Sequence, residues 1–254
     1  MTNWRAPSAT ALIVALVAGS AACSPASSSG TPSTTITVGA ASSLTDVFAT
    51  IGEEFMADNR DIAVTFSFAG SSAIAEQIRS GAPLDVFASA GASSMDPVAA
   101  EGLVTDVTTF ATNTLMIATP RGNPAAITGL ADLPRATVLV CQEQVPCGVA
   151  TAALFQQNGL DISPVSFEPD VVSVLGKIEA DEADAGIVYV TDVLSSGARV
   201  EGVAIPAADN VTTTYQAGVV RDSAHADAAA LFVSYLTGQQ AQAAFAAAGF
   251  AAAP

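Results

Sequence analysis

Serines stand at two places in the chain where a strand-like pattern gives way to a helical one. Ser43 follows the apolar run ITVGA at 36–40, and Ser71 follows the run IAVTFSFA at 62–69. The first backbone N–H groups of a helix have no partner within the helix, and the helix dipole makes that end positive, so such a turn can bind an anion. A serine hydroxyl adds a neutral donor. If the fold brings the two turns together, the pattern predicts a site for a small anion.

A local explanation competes at the first turn. Ser43 and Asp46 fit an S-x-x-D capping box, in which two side chains satisfy backbone N–H groups at the start of a helix. This arrangement accounts for one hydroxyl and for the acid. It leaves the neighbouring Ser42 and the similar turn at Ser71 unexplained, so both interpretations stay open.

Two further turns have the same form. Cys147 follows Pro146 at the start of a helical pattern, and Val171 opens another helix that Asp170 is expected to cap. Backbone N–H groups at these turns would add to the donors of the serine turns. Four such turns in one chain strengthen the prediction of an anion site whose donors are uncharged.

The overall charge argues against one large class of function. Eight Lys and Arg residues stand against 24 Asp and Glu residues, which gives a formal net charge of −16. A chain this acidic lacks the basic surface that binds a nucleic-acid backbone, so no nucleic-acid partner is expected. Net charge governs solubility and encounter rather than the chemistry of a buried site, so it does not exclude anion binding.

An exported hydrolase with a serine or cysteine nucleophile is the alternative from a different functional class. Such an enzyme needs a general base beside its nucleophile. The single histidine of the sequence, His225, has no base-like context near Ser43, Ser71 or Cys147. A protein that is not an enzyme is therefore preferred, and a surface module that has lost its ligand is a third interpretation.

The N-terminus has the features of an export signal. Arg5 provides a positive start, the run at 11–19 is apolar, and small residues lead into Cys23. The apolar run is shorter than the roughly 20 residues that a membrane-spanning helix needs. We expect a signal peptide over 1–22, lipidation of Cys23, and a lipid-anchored flexible linker over 23–35. The protein would then lie at the extracytoplasmic face of the membrane, or in the periplasm.

The remaining cysteines form a possible pair. If Cys23 is acylated, Cys141 and Cys147 are left in an oxidising compartment, which favours a disulfide, and two free thiols are the alternative. Their spacing alone is weak support for a metal, and His225 is distant in sequence. A zinc site is therefore not expected.

Strand-like runs alternate with helical patterns from residue 36 onward, which is typical of an α/β chain with largely parallel sheets. The predicted strands lie at 36–40, 62–69, 84–90, 114–119, 136–141, 185–190 and 200–205. An apolar stripe along the first helix consists of Leu44, Val47, Phe48, Ile51 and Phe55. The pattern fits two α/β lobes joined by hinge strands, with a ligand between them.

Five stretches together resemble the substrate-binding proteins of molybdate ABC importers. They are, in chain order, ITVGAASSLTD, FAGSSAIAEQIRSGAPLDVFASA, EQVPCG, PDVVSVL and GIVYVTD, and the resemblance extends from Ile36 to Phe250. It implies an α/β, two-lobed, hinged periplasmic-binding-protein fold of type II with the ligand in the interlobe cleft. We assign residues 36–116 plus 217–254 to lobe 1 and residues 117–216 to lobe 2.

The resemblance also implies a ligand set for a tetrahedral oxyanion, molybdate or tungstate. The implied ligand residues are Ser43, Ser71, Cys147, Val171 and Tyr189. The serines would offer hydroxyl and N–H groups, and Tyr189 its phenol hydroxyl. Cys147 and Val171, or the adjacent Val172, would offer only N–H groups. All would contact oxygen atoms of the anion and none the metal atom itself. Without the resemblance, Tyr189 fits equally well as a core aromatic at a strand end.

The function implied is capture and delivery. An open cleft would take the anion, close on it by hinge motion and dock on an ABC transporter permease, with no cofactor and no bond made or broken. We expect a monomer tethered through Cys23. The nearest alternative is a sulfate- or phosphate-type binding protein of the same fold, since protonation and cavity size are what separate these anions.

Overall fold

Strands and helices alternate along the chain in the computed structural model, which describes residues 1–2 and 32–253. The strands in that part are β1 (Thr34–Ala41), β2 (Ile62–Ala69), β3 (Val86–Ser89), β4 (Val104–Pro120), β5 (Val138–Cys141), β6 (Ser166–Glu168), β7 (Ala185–Tyr189), β8 (Val200–Ala204), β9 (Thr212–Val220) and β10 (Ala251–Ala252). The helices are α1 (Thr45–Asp58), α2 (Ser71–Arg79), α3 (Ala92–Ala100), α4 (Pro146–Gln157), α5 (Val171–Glu179), α6 (Val190–Ser195), α7 (Ala226–Tyr235) and α8 (Gln239–Ala247). Short 3-10 helices at Ser42–Leu44 and Leu130–Arg135 precede α1 and β5.

The expected export signal falls almost wholly outside the described residues. Apart from residues 1–2, the predicted signal peptide 1–22 lies there, and so does the predicted lipidation site Cys23. The predicted linker 23–35 ends inside the described part, where Thr34 and Thr35 already belong to β1. No helix among residues 1–2 and 32–253 combines the length and the apolar character needed to cross a membrane.

The strands pair along one path, in the order β2-β1-β3-β9-β4-β7-β5-β6, and β8 and β10 also pair with β4. Toward both ends the pairs are parallel, β1 with β2 and β3, and β5 with β6 and β7. At the centre they are antiparallel, β9 with β3 and β4, and β4 with β7. The prediction of largely parallel sheets is therefore wrong at the centre, where β9 and the first part of β4 were not predicted as strands.

The long strand β4 joins the two halves of this path. Its first part, up to Thr114, pairs with β9, whereas the part from Leu115 to Pro120 pairs with β7 and β8. Each half has its own buried hydrophobic core. The first core includes Phe48, Phe110, Tyr215 and Phe232. The second includes Leu115, Leu154, Val174 and Ile187.

Helical periodicity in the sequence predicts the buried face of α1 correctly, whereas in α4 the apolar residue Val149 is exposed. The stripe along α1 that is buried in the first core consists of Val47, Phe48, Ile51 and Phe55. Phe48 packs edge-on against Phe232, with ring centroids 6.0 Å apart. Val174 and Ile178 of α5 are buried in the second core in the same way. Burying such side chains contributes about 1.5–3 kcal/mol each, and this packing holds the helix N-termini in place.

Candidate functional site

One small cavity of about 20 Å³ lies where the ends of several elements meet. Its lining includes all of the predicted ligand residues: Ser43, Ser71, Cys147, Val171 and Tyr189. The other lining residues are Ala41, Ser42, Gly70, Ala90, Val145, Pro146 and Asp170. None of these lining residues is a lysine, an arginine or a histidine, so charge compensation for an anion in the cavity comes from dipoles.

Three helices begin at the wall of this cavity. Ser71 and Val171 are the first residues of α2 and α5, and Cys147 is the second residue of α4. These are the turns at which the sequence predicts helix starts. The first N–H groups of each helix lack partners within the helix and carry the positive end of its dipole, so their convergence suits the cavity to a negative ligand.

Ser43 has a different setting from the one that a local cap would give it. It lies in the 3-10 turn between β1 and α1, and α1 begins only at Thr45. Neither the turn nor the helix has a side-chain cap. The capping-box interpretation of Ser43 and Asp46 is therefore wrong. Instead, the Oγ atom of Ser43 lies 3.0 Å from the phenol Oη of Tyr215, at hydrogen-bond distance.

Ser71 is held in place by the loop that follows β3. Its side chain is buried, and its Oγ accepts a hydrogen bond of 3.1 Å from the backbone N–H of Ala90. Ser89 secures the same loop, since its hydroxyl donates to the Gly91 carbonyl at 2.8 Å. Because the bond from Ala90 uses a lone pair of the Ser71 oxygen, the hydroxyl proton of Ser71 remains available to a ligand.

Tyr189 carries the least satisfied polar atom at the cavity. The residue is 1% exposed, and among the described residues its Oη has no hydrogen-bond partner. Burial is the main reason that the pKa of this phenol lies well above its ordinary value; the nearby Tyr215 and Asp192 raise it further, and the Thr213 hydroxyl acts in the opposite direction. The hydroxyl therefore stays protonated. A buried donor without an acceptor is costly, so this geometry points to a ligand that accepts from it.

The turn before α4 is closed covalently. Cys141 at the end of β5 and Cys147 form a disulfide, with their Cα atoms 5.7 Å apart. Gly148 allows the start of α4 to pack closely against the backbone that follows β5, because a Cβ atom at position 148 would lie 1.8 Å from the Gln142 carbonyl oxygen. The Cys147 carbonyl also accepts from the Thr151 hydroxyl at 2.7 Å. The backbone around Cys147 is thus fixed from several directions.

Asp170 caps α5 as the sequence predicts. Its carboxylate accepts a hydrogen bond of 2.8 Å from the backbone N–H of Ser173. That bond satisfies one of the free N–H groups at the start of α5. The N–H of Val171, two positions earlier, is not the one that the cap uses.

Two glycine contacts connect elements of the first half of the sheet to elements of the second half beside the cavity. A Cβ atom on Gly70, just before α2, would lie 2.7 Å from the carbonyl oxygen of Pro169, just before the α5 cap. A Cβ atom on Gly91, just before α3, would lie 3.0 Å from the Cβ of Pro146 in α4. The backbone at Gly70 therefore approaches the opposite half more closely than a side chain would allow, and the contact at Gly91 would be tighter than ordinary van der Waals contact.

A buried acid lies directly behind Tyr189. The carboxylate of Asp192 in α6 accepts a hydrogen bond of 2.8 Å from the Tyr189 N–H. Burial, at 4% exposure, raises the pKa of Asp192 to about 7; the bond from Tyr189 opposes this shift, and the negative charges of Asp170 and Asp46 add to it. Asp192 thus carries its proton at pH values where an ordinary carboxyl is ionised.

Sequence reasoning missed three residues that shape this neighbourhood, Tyr215, Asp192 and Gly70. Tyr215 is 172 positions from Ser43 and lies in a strand that was not predicted, so no local pattern could connect them. The burial of Asp192 likewise has no sequence signal. Gly70 did have one, because a glycine at the entrance to a predicted binding turn indicates a close backbone approach.

Other kinds of chemistry have little support around the cavity. Among residues 1–2 and 32–253, no group of three or more His, Cys, Asp and Glu residues is arranged to hold a metal ion. His225 lies 3.4 Å from Asp85, and neither residue lines the cavity. The cavity combines hydroxyl and N–H donors, which suit the binding of an anion.

Comparisons with known proteins agree with this chemistry. Residues 36–251 match the family described as bacterial extracellular solute-binding protein. The chain is 43% identical over 244 residues to the molybdate-binding protein ModA of Mycobacterium tuberculosis, covering 92% of this chain and 94% of that protein. It is 32% identical over 229 residues to ModA of Escherichia coli, covering 85% of this chain and 88% of that protein.

Solved structures show the same architecture. The periplasmic molybdate-binding protein of Azotobacter vinelandii superposes with a TM-score of 0.75 at 21% identity, over 86% of this chain and 100% of that chain. The sulfate-binding protein SubI of Mycobacterium tuberculosis gives a TM-score of 0.74 at 20% identity, over 85% of this chain and 86% of that chain. At these identities the likeness establishes the fold, which is the predicted α/β periplasmic-binding-protein fold.

Proposed function

This chain belongs to the bacterial extracellular solute-binding protein family and, within it, to the molybdate-binding proteins, and from that membership we propose that it captures molybdate and delivers it to an ABC importer. Tungstate, an anion of the same shape and charge, is proposed as a second ligand. The protein acts by binding alone and needs no cofactor.

The observation that carries this proposal is the convergence of uncharged donors on one cavity. Three helix N-termini, two serine hydroxyls and the unpartnered phenol of Tyr189 supply donors, and no lining residue is basic. Hydrogen bonds to a charged group contribute about 1.5–3 kcal/mol each, so several of them together can hold a desolvated dianion. This also explains how a chain of net charge −16 can bind an anion, since dipoles at contact distance outweigh distant charges.

We propose the following roles for the cavity residues. Ser43 and Ser71 each donate a hydroxyl and a backbone N–H to the oxygen atoms of the anion. Cys147 and Val171 donate only their backbone N–H groups. Tyr189 donates its phenol hydroxyl, which forms no hydrogen bond among the described residues. In this arrangement no side chain bonds to the molybdenum atom.

Capture is proposed to depend on movement of two lobes. Strand β4 changes its pairing partner between Thr114 and Leu115, and β9 begins at Thr212. These two positions support hinges that lie a few residues before the lobe boundaries expected from the sequence, at 116/117 and 216/217. Lobe 1 would carry Ser43 and Ser71. Lobe 2 would carry the other three donors, so only a closed protein offers the full set.

The setting of this function is proposed from the family and the sequence together. The protein would work outside the cytoplasm, as a monomer, and would pass the anion to the permease of its transporter. Lipidation of Cys23 would hold it at the membrane surface near that permease.

Sulfate is the alternative to molybdate as the ligand, because the donors in the cavity suit any fully ionised tetrahedral dianion. Cavity size has to separate the two anions, since sulfate is smaller than molybdate. Hydrogen phosphate fits the cavity less well, because its proton needs an acceptor and the one lining carboxylate, that of Asp170, already caps α5.

Isothermal titration calorimetry of the purified mature protein with molybdate, tungstate and sulfate tests the proposal. We expect one site per chain, binding molybdate and tungstate at least about 100-fold more tightly than sulfate, a gap of about 2.7 kcal/mol. Tighter binding of sulfate would replace molybdate by sulfate as the ligand. Failure of all three anions to bind would contradict the proposed function altogether.

A further inference from the structure

Tyr215 lies beneath the cavity and contacts residues from both halves of the sheet. It is fully buried in β9, opposite Ala111 of β4. Its ring packs against Tyr189, with centroids 6.0 Å apart, and edge-on against Phe250, with centroids 5.2 Å apart. These contacts fix the ring, so the position of its hydroxyl is also fixed.

The Tyr215 hydroxyl reaches one of the proposed ligands. Its Oη lies 3.0 Å from the Oγ of Ser43, at a distance where either oxygen can be the donor. Each hydroxyl has one proton, so the direction of this bond decides what Ser43 offers to the cavity. If Ser43 donated to Tyr215, Ser43 would present only lone pairs to a bound anion, and these would repel it. If Tyr215 donates, the Ser43 proton is free for the anion.

Donation from Tyr215 requires a protonated phenol, and burial raises the pKa of that phenol above the ordinary value, so the hydroxyl keeps its proton. The ligand then sets the direction of the bond, because a bound anion selects the arrangement in which Ser43 donates to it and accepts from Tyr215. A hydroxyl that accepts one hydrogen bond becomes a stronger donor in its next one, so the two bonds reinforce each other.

We propose that Tyr215 is a positioning residue for the anion site, because its hydroxyl donates to Ser43 Oγ and thereby turns the Ser43 proton toward the anion. This inference rests on the proposed function, in which Ser43 is a ligand. Tyr215 itself does not line the cavity. It acts through Ser43, and it also packs against the ring of Tyr189. One buried side chain therefore positions two anion-binding residues that come from opposite halves of the sheet.

A double-mutant cycle tests this role. The affinity for sodium molybdate is measured by calorimetry for the wild type, Tyr215→Phe, Ser43→Ala and the double variant. Tyr215→Phe keeps the ring and removes only the hydroxyl, and we expect affinity to fall about tenfold. In the Ser43→Ala background the same substitution should change affinity by less than about twofold, because Tyr215 then has no hydroxyl to orient.

Tyr235→Phe is the matched control. The Oη of Tyr235 is also buried and has no partner among the described residues, and its ring packs edge-on against Phe55 with centroids 5.3 Å apart. Removing that hydroxyl should leave molybdate affinity unchanged. Thermal melting of every variant checks the fold. If Tyr215→Phe is not folded, Tyr215→Met provides a second variant without the hydroxyl.

Three outcomes would overturn the inference. Unchanged affinity in Tyr215→Phe shows that the hydroxyl does not orient Ser43. An equal loss in both backgrounds shows that Tyr215 acts on the structure rather than through Ser43. In either case the proposed function would still be supported if the wild type binds molybdate and Ser43→Ala binds it with lower affinity. A wild-type protein that does not bind molybdate overturns both.

Discussion

Gly70 and Pro169 meet at the edge of the cavity, so closely that a methyl group on Gly70 would lie 2.7 Å from the Pro169 carbonyl oxygen. Gly70 precedes the first residue of α2, and Pro169 precedes the cap of α5. The two turns that carry Ser71 and Val171 are therefore brought to their positions by a contact that only glycine permits. The backbone angles of Gly70, φ −59° and ψ 137°, are ordinary, so alanine is unfavourable there only because of Pro169.

Gly70→Ala should therefore weaken anion binding without unfolding the protein. The added methyl group forces the two turns apart and separates donors that have to reach the same anion, so we expect at least about a tenfold loss of molybdate affinity. Calorimetry measures the affinity, and thermal melting measures stability. Gly176→Ala is the matched control, since an added Cβ in that part of α5 meets nothing within 4 Å. Equal affinities in the two variants would show that the contact is not needed.

Replacing both serine ligands should abolish tight binding. Ser43→Ala with Ser71→Ala removes two hydroxyl donors, and we expect a loss of at least about 100-fold in molybdate affinity. The Ala90 N–H and the Tyr215 hydroxyl lose their partners at the same time, so a moderate fall in melting temperature is also expected. Ser72→Ala is the control, because Ser72 neighbours Ser71 without lining the cavity. A folded double variant with wild-type affinity would contradict the proposed site.

Asp192 should make the stability of the empty protein depend on pH. Its pKa is raised from 3.8 to about 7 on folding, so the folded state binds the proton more tightly than the unfolded state. The resulting stabilisation is complete below about pH 4 and is lost as the pH rises through about 7, with an upper limit of about 4 kcal/mol.

Asp192→Asn tests this directly, because asparagine keeps an acceptor for the Tyr189 N–H and does not titrate. Urea unfolding at several pH values should show the wild type losing stability relative to Asp192→Asn between about pH 4 and 7. The exposed acid Asp161 provides the control substitution, Asp161→Asn. A constant difference between wild type and Asp192→Asn across that range would refute the assignment.

The disulfide should stabilise the turn before α4. Closing a loop of this length is worth about 2 kcal/mol by the chain-entropy estimate, so Cys141→Ala with Cys147→Ala should lower the free energy of unfolding by about that amount. Molybdate affinity should fall less, because Cys147 is proposed to donate through its backbone. Thiol labelling of the unfolded, unreduced mature protein should find neither cysteine free. Full labelling of both would show that the bridge does not form.

The sequence predicts the parts of the site that depend on local patterns. A dozen residues are enough to show a strand, then a hydroxyl or capping residue, and then the apolar stripe of a helix. This local pattern predicts the starts of α2 and α5 and the cap at Asp170. The resemblance to a family then joined these turns into one ligand set. Neither step required knowledge of the sheet order.

What the sequence did not predict depends on contacts between distant segments. Tyr215 is in the Thr-rich strand β9, whose place between β3 and β4 is set by antiparallel pairing far along the chain. The capping-box interpretation of Ser43 failed for the same reason, since the 3-10 turn before α1 frees that side chain to meet Tyr215. The burial of Asp192 depends on the packing of α6 against α5, β4, β7 and β8. The approach of Pro169 to Gly70 appears only once the two halves are assembled.

The absence of basic side chains from the lining of the cavity has a consequence for how the anion arrives. Mobile ions screen exposed charges over about 10 Å at ordinary salt, but they hardly screen fixed dipoles in a closed site. The acidic protein repels an approaching dianion, so added salt should raise the association rate constant. The dissociation rate constant of the bound anion should stay nearly unchanged. Such a protein would bind its ligand faster at high ionic strength than at low ionic strength.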